Sequence, residues 1–170
     1  MTKKTPFTDT SAILFICLLG VFNHFLYHWS GNHPVVAAFT PVNESIWEHL
    51  KLLFFPLMFY TFVEFVFYGR HIKGFLLSRF LGVLCGMILI SVGFYAYTFL
   101  LGRDLLVLDI LLFVISVVIS VKIGTKRIEN KSDAYEFRNL SGIILFVGVT
   151  ALFVGFTFYP PNAPLFYSNM

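Results

Sequence analysis

The segment "PVNESIWEHLKLLFFPLMFYTFVEFVFY", residues 41–68, places a long apolar run directly after a cluster of polar side chains. A helix of this length would measure roughly 42 Å at 1.5 Å per residue, whereas the hydrocarbon core of a bilayer is about 30 Å thick. The surplus matches the polar beginning of the segment. The apolar remainder therefore predicts a transmembrane helix, and the polar beginning lies at one membrane surface.

The composition of the whole chain is that of an integral membrane protein. Of its 170 residues, 58% are hydrophobic and 12% are charged, and the mean hydropathy is +0.82. These values leave too little polar surface to coat a soluble particle of this size. The chain contains five apolar blocks that are long enough to cross a membrane. We predict an all-α bundle, a single domain over residues 1–170, with helices at about 11–29, 41–68, 75–100, 104–121 and 140–159.

The distribution of Lys and Arg predicts the orientation, because positively charged short loops stay on the cytoplasmic side. Basic residues precede the first helix and lie around the second and fourth connections, whereas residues 30–40 and the C-terminal tail have none. These basic residues are Lys3, Lys4, Arg70, Lys73, Arg79, Lys122, Lys126, Arg127, Lys131 and Arg138. We therefore expect the N-terminus inside and the C-terminus outside. This topology explains the net charge of +3, so the expected partner is the lipid bilayer and no nucleic acid.

Polar residues within the predicted helices gather at the extracytoplasmic end, and some have the spacing of metal ligands. His24 and His28 are four residues apart, which places two imidazoles on one helix face, as zinc, iron or copper requires. The next helix supplies Glu48 and His49, and two His plus a carboxylate form the ligand set of a catalytic zinc with an open position. Adjacent helical residues point about 100° apart, so one of Glu48 and His49 is expected to face the centre. The candidate site for zinc or iron therefore consists of His24, His28, Glu48 and His49.

The same layer holds residues that are suited to bind or activate a ligand. Asn43, Glu44, Glu48 and Lys51 form the candidate ligand-binding set, in which Asn43 and Lys51 would bind an anionic group. The candidate catalytic carboxylates are Glu44, Glu48 and Asp109, since a carboxylate can orient a ligand or act as a base. Asp109 lies about five residues into the fourth predicted helix, where a lone carboxylate costs roughly 2.5–3.5 kcal/mol. We therefore expect Asp109 to have a partner.

Two starts compete for the second membrane helix. Thr40 can serve as the N-cap with Pro41 in the first helical position. Alternatively, "SIWE" offers a capping box that begins at Ser45. The predicted boundaries use the longer helix.

A structural interpretation competes with the functional one. Trp47 can be an interfacial anchor, and Glu48 can be neutralised by Lys51 one turn later. Glu64, near the other end of this helix, is expected to form an ion pair with Arg70 or Arg79. In this interpretation the polar residues lock the helices together and bind no ligand.

Three classes of function therefore remain open. The first is a membrane protein whose extracytoplasmic site binds a metal ion or a small or lipid ligand, with a metal-dependent hydrolase as its enzymatic form. The second is a structural or scaffold subunit, acting as a homo-oligomer or with a membrane partner protein. The third is a transporter of small solutes or ions, which Pro56 within the second helix and the intramembrane Asp109 favour.

The run "PVNESIWEHLKL", residues 41–52, together with the closing "PPNAPLF", residues 160–166, resembles a family of small bacterial polytopic membrane proteins of unknown function. The resemblance covers nearly the whole chain. It implies a multi-pass protein of the bacterial cytoplasmic membrane and supports the helical bundle. It implies no reaction, substrate or cofactor.

Overall fold

The structure, a computed structural model, describes residues 8–129 and 137–167. Within these ranges the chain forms helices and turns without a β-strand: α1 (Asp9–Trp29), the short α2 (Pro34–Ala37), α3 (Ile46–Phe67), α4 (Phe75–Leu101), α5 (Leu106–Glu129) and α6 (Phe137–Phe158). All of them except α2 are long and apolar enough to cross a membrane. The all-α, five-helix membrane bundle is therefore confirmed, while its orientation stays a prediction. The basic residues Lys3, Lys4 and Lys131 lie outside the described residues.

The start of α3 differs from the predicted one by about a turn. The helix begins directly after its N-cap Ser45, whose Oγ accepts a hydrogen bond from the Glu48 N–H at 3.3 Å. In the turn before it, Asn43 Oδ1 accepts from the Ser45 N–H at 2.9 Å, and Glu48 Oε2 accepts from the Val42 N–H at 3.0 Å. The predicted helix over 41–68 was wrong here because side-chain oxygens satisfy these backbone N–H groups in a non-helical turn.

The helix α5 is longer than predicted, since it continues to Glu129 instead of ending near residue 121. The predicted end lay where charged residues begin. Lys, Arg and Glu are good helix formers, so a change from apolar to charged residues marks a membrane boundary without ending the helix.

The helix α3 forms the centre of the bundle and contacts α1, α4 and α6. Aromatic side chains fill the space between α3 and α6: the fully buried Phe54 packs against Phe146 and Phe153, with ring centroids 5.9 Å and 5.1 Å apart. Lipid tails are as apolar as these rings, so close packing, rather than removal from water, stabilises the contact.

Small residues bring α4 and α5 into close contact. A Cβ atom added at Gly82 would lie 2.3 Å from the Ser120 carbonyl oxygen, and one at Gly86 would lie 2.0 Å from Ser120 Oγ. Gly82 and Gly86 form the G-x-x-x-G spacing that permits such close approach of membrane helices. This contact fixes α5 against the rest of the bundle.

A buried ion pair joins four helices at the end of the bundle where α3 ends. Arg79 on α4 binds Glu64 on α3 through two nitrogens of its guanidinium, with distances of 3.0 Å from Nε to Oε2 and 2.6 Å from Nη2 to Oε1. Arg79 Nη1 also donates to Thr125 Oγ1 on α5, which donates to Asp9 on α1. The structure thus gives Glu64 the partner Arg79, one of the two predicted.

Candidate functional site

The polar residues at the N-terminal end of α3 separate into two clusters. The first, which we term the clasp, consists of Glu48, Lys51 and Thr157. Lys51 Nζ lies 2.7 Å from Glu48 Oε2 and 2.6 Å from Thr157 Oγ1, and Thr157 Oγ1 lies 3.0 Å from Glu48 Oε1. Thr157 stands near the end of α6, so the clasp joins α6 to the first turn of α3.

The clasp also fixes the chain between α1 and α3. Lys51 Nζ donates to the carbonyl oxygens of Ala37 and Thr40 at 2.9 Å and 3.1 Å, and Glu48 accepts from Val42 N–H. Both charges are thus compensated within the protein, as buried charges must be. The structure places Glu48 and Lys51, both in the predicted ligand-binding set, in these internal contacts.

The second cluster consists of His24, Glu44 and His49, which we term the imidazole–carboxylate cluster. Each of the three offers one metal-ligating atom, and these atoms lie within 4.8 Å of one another. His49 Nε2 is 3.2 Å from Glu44 Oε2, and the rings of His24 and His49 have centroids 5.4 Å apart. The structure therefore brings together two of the predicted metal ligands, with Glu44 in the place that the prediction gave to Glu48.

The turn before α3 explains why Glu44 and not Glu48 joins the histidines. Because α3 begins after Ser45, Glu44 lies outside the helix, and the hydrogen bond from Ser45 N–H to Asn43 shapes the turn that carries it. Glu48, in the first turn of the helix, points instead to the clasp. His49 follows directly after Glu48 and faces a different direction, in agreement with the 100° between adjacent helical residues.

The hydrogen bonds of His49 define which of its ring nitrogens is free to bind. Its Nδ1 lies 3.0 Å from the Ser45 carbonyl oxygen. A carbonyl only accepts, so Nδ1 carries the proton and, in the neutral ring, Nε2 bears a lone pair. That lone pair faces a carboxylate oxygen of Glu44, which is also an acceptor. A positive charge between them, a proton or a metal ion, makes this arrangement favourable.

His24 adds a second unsatisfied polar atom to the cluster. Its Nδ1 is buried and makes no hydrogen bond to any residue that the structure describes, and an unsatisfied buried atom of this kind costs about 1–3 kcal/mol. A cation shared by His24, Glu44 and His49 would satisfy all three groups.

A partly open cavity of about 210 Å³ adjoins the cluster. It is lined by His24, Phe25, His28, Pro41, Val42, Asn43 and Glu44. Two members of the cluster therefore face this space. His28, one of the predicted metal ligands, lies on the cavity wall and does not belong to the group of three ligating side chains.

Asp109 has the expected partner, and because α5 begins at Leu106 it lies in the first turn of the helix and not five residues into it. The hydroxyl of Tyr97 on α4 donates a hydrogen bond to Asp109 on α5. The Leu105 N–H lies 3.5 Å from the same hydroxyl oxygen. Asp109 does not line the cavity beside His24, so the structure does not join it to the other two candidate catalytic carboxylates.

Beyond α6, the tail folds back on the first turn of α3. Phe166 lies in a 3₁₀ turn, and its ring centroid is 5.0 Å from that of Trp47. Trp47 also packs against Phe153 and Phe156. The tail therefore covers the side of α3 that carries the clasp.

Sequence reasoning did not identify the position of Glu44 beside His24 and His49 or the contact of Thr157 with Lys51. A signal for the first was present: Asn43 and Ser45 are both preferred in turns and caps, and choosing Ser45 as the N-cap separates Glu44 from Glu48. No local signal indicates the second, because Thr157 and Lys51 are 106 residues apart.

The fold and the two clusters define a multi-pass membrane helix bundle with a polar site at one end. The chain belongs to the family of unknown function DUF6512, whose family model matches residues 3–170. No curated protein and no solved structure matches the chain. The resemblance to a family of unknown function is thereby confirmed, while the bacterial membrane that it implied stays a prediction.

Proposed function

We propose that this protein binds a divalent transition-metal ion through His24, Glu44 and His49. The observation that carries the proposal is the convergence of three ligating atoms within 4.8 Å. The His49 Nε2 to Glu44 Oε2 distance of 3.2 Å is close to the roughly 3.3 Å that separates two ligands of a tetrahedral zinc ion with bonds of about 2.0–2.1 Å. The ligating atom of His24, within 4.8 Å of the other two, would complete the set by moving closer to them.

The surroundings of the cluster support a metal ion over a proton. Metal-ligating histidines almost always donate their other ring N–H to a carboxylate, a carbonyl or water, which fixes the tautomer. His49 makes such a bond to the Ser45 carbonyl oxygen. The Nδ1 of His24, which makes no hydrogen bond to a described residue, would gain a partner if it bound the metal ion.

The donor set favours zinc or iron(II) and leaves a coordination position open. Two His and one carboxylate hold the zinc of several hydrolases, and the same three groups form the facial triad of non-haem iron enzymes. An ion held in this way lowers the pKa of a bound water and polarises a carbonyl or phosphoryl oxygen. The adjoining cavity offers room for a substrate, so a metal-dependent hydrolase is the enzymatic form of this proposal.

A structural role is the second candidate, and the buried networks favour it. The clasp joins α3 to α6, and the Glu64–Arg79 pair connects through Thr125 to Asp9. A protein built in this way is suited to act as a rigid membrane subunit that contacts another protein or a second copy of itself. The transporter alternative stays a prediction.

Measurement of bound metal tests the first proposal. The protein is purified in a mild detergent, treated with a chelator, reloaded with zinc, washed, and analysed by mass spectrometry for metal per protein. We expect about one ion per chain in the wild type and strongly reduced metal in His24→Ala and in His49→Ala. His71→Ala, beyond the opposite end of α3, is the control and should keep the metal. Equal metal content in all four proteins would contradict the proposal.

A further inference from the structure

We propose that the cavity beside the imidazole–carboxylate cluster is a subsite for an oxyanion of the phosphate class, either a free ion or the headgroup of a lipid. The inference rests on the metal ion of the proposed function, which would bind one oxygen of the anion. Asn43 and His28 would bind the others. The arrangement follows from the hydrogen bonds around the cavity and from its charge.

Asn43 lines the cavity and carries hydrogen-bond donors in its side chain. Its Oδ1 accepts from the Ser45 N–H at 2.9 Å, and because a backbone N–H only donates, the atom that faces it must be the amide oxygen. The amide NH₂ of Asn43, with two donors, remains. Asn43 lines the cavity, so this NH₂ is the group available to a ligand there.

His28, on α1, supplies a second donor. It follows His24 by four residues on α1, so both side chains lie on the same face of the helix, one turn apart. His28 lines the cavity beside His24 and Glu44. An imidazole carries at least one N–H in either protonation state, so His28 can donate to an anion whether or not it is charged.

The net charge of the metal-loaded cluster favours an anion. Metal-ligating histidines are neutral, so a divalent ion with His24, His49 and the carboxylate of Glu44 carries a net charge of +1. Among the described residues that line the wall, Glu44 is the only acidic one, and the metal ion compensates it. Lys51, expected from the sequence to bind an anion, is fully buried in the clasp.

The size of the cavity limits the ligand. A volume of about 210 Å³ corresponds to about seven water molecules at roughly 30 Å³ each. This is room for a tetrahedral oxyanion with a short substituent. Phe25, Pro41 and Val42 complete the wall and would contact the carbon atoms of an organic substituent on the anion, such as those of the glycerol in a phospholipid.

The test uses the full protein loaded with cobalt(II), whose visible absorption reports on its ligands, and inorganic phosphate as the probe. Asn43→Asp is the informative variant, because an Asp oxygen still accepts from Ser45 N–H while the NH₂ donors are lost. His28→Ala removes the second donor. We expect a saturable spectral change with phosphate in the wild type and binding at least about tenfold weaker in each variant, as loss of a hydrogen bond to a charged group predicts. The spectrum without phosphate should be the same in all three.

A second arm distinguishes the source of the anion. The cobalt-loaded protein is placed in phosphatidylcholine nanodiscs with and without phosphatidic acid. A spectral change that requires phosphatidic acid and is weakened in both variants supports the lipid headgroup, and a change with inorganic phosphate alone supports the free ion.

Four results would overturn the inference. Cobalt binding without any response to either probe would remove the subsite and leave the metal centre intact. Unchanged phosphate affinity in both variants would show that Asn43 and His28 do not bind the anion, and an altered phosphate-free spectrum in His28→Ala would make His28 a metal ligand instead. No cobalt uptake by the wild type would remove the metal centre and the subsite together.

Discussion

Lys51 Nζ lies 2.7 Å from Glu48 Oε2, and the two residues are only 0% and 2% exposed. The same ammonium reaches the carbonyl oxygens of Ala37 and Thr40. A charged pair near the start of a membrane helix therefore fixes the connection that precedes the helix. Since Glu44 lies in that connection, the clasp also sets where the imidazole–carboxylate cluster forms.

Removing one charge of the Glu48–Lys51 pair should lower the free energy of unfolding more than removing both charges. Lys51→Met leaves Glu48 buried without a cation, and such a loss typically costs about 3–5 kcal/mol of unfolding free energy. In the double variant Lys51→Met, Glu48→Leu no charge is left uncompensated, so the loss should be smaller. Unfolding in mixed detergent micelles measures both values. A double variant that loses as much as the sum of the two single variants would show that the pair is not coupled.

Close packing between α4 and α5 predicts that a glycine in this contact tolerates substitution less well than a glycine of α6 without close neighbours. In Gly82→Ala the new Cβ would lie 2.3 Å from the Ser120 carbonyl oxygen, which forces the backbones apart and should cost about 1–3 kcal/mol. In Gly148→Ala the Cβ would meet no atom within 4 Å, and the better helix propensity of Ala should leave stability unchanged or raise it by up to about 1 kcal/mol. Thermal unfolding of the two variants in the same detergent gives the comparison. Equal destabilisation would contradict the close packing at Gly82.

The two hydrogen bonds from Arg79 to Glu64 predict that lysine, which has the same charge, cannot replace Arg79 without a loss of stability. Arg79→Lys keeps the charge and loses the two-pronged contact with Glu64, whose N–O distances are 3.0 Å and 2.6 Å. We expect a loss of about 1.5–3 kcal/mol, the value of one hydrogen bond to a charged group. The exposed Arg70 provides the matched control, since Arg70→Lys should change stability by less than about 0.5 kcal/mol. An Arg79→Lys variant as stable as the wild type would show that the paired hydrogen bonds between Arg79 and Glu64 do not contribute to stability.

Much of the fold follows from composition and from the lengths of the apolar blocks. The five spans were predicted because a helix that crosses the membrane needs a long apolar segment, which is visible in a sequence. The ion pair of Glu64 and a partner for Asp109 were predicted because an unpaired charge within a membrane helix is costly. The chain also marks its helix ends, although for α3 two caps competed, and in the structure Ser45 is the N-cap and Asn43 accepts from the Ser45 N–H in the turn before it.

The site was predicted less completely, because it depends on that start. A helix from residue 41 would carry Glu44 and Glu48 on one face, whereas the observed turn separates them and gives each a different partner. The contacts of Thr157 and the packing of Phe166 on Trp47 join distant parts of the chain, and no periodicity or local motif encodes which distant residue a side chain meets.

The role proposed for Glu44, as a metal ligand, and the contact of Glu48 with Lys51 can be tested separately by comparing zinc content and melting temperature of Glu44→Gln and Glu48→Gln. We predict that Glu44→Gln loses the metal, while its metal-free form melts near the metal-free wild type, because Glu44 is largely exposed. Glu48→Gln should melt lower and keep the metal, since Gln retains an oxygen for the Val42 N–H but no charge for Lys51. The reverse result, with metal lost in Glu48→Gln and kept in Glu44→Gln, would contradict these roles.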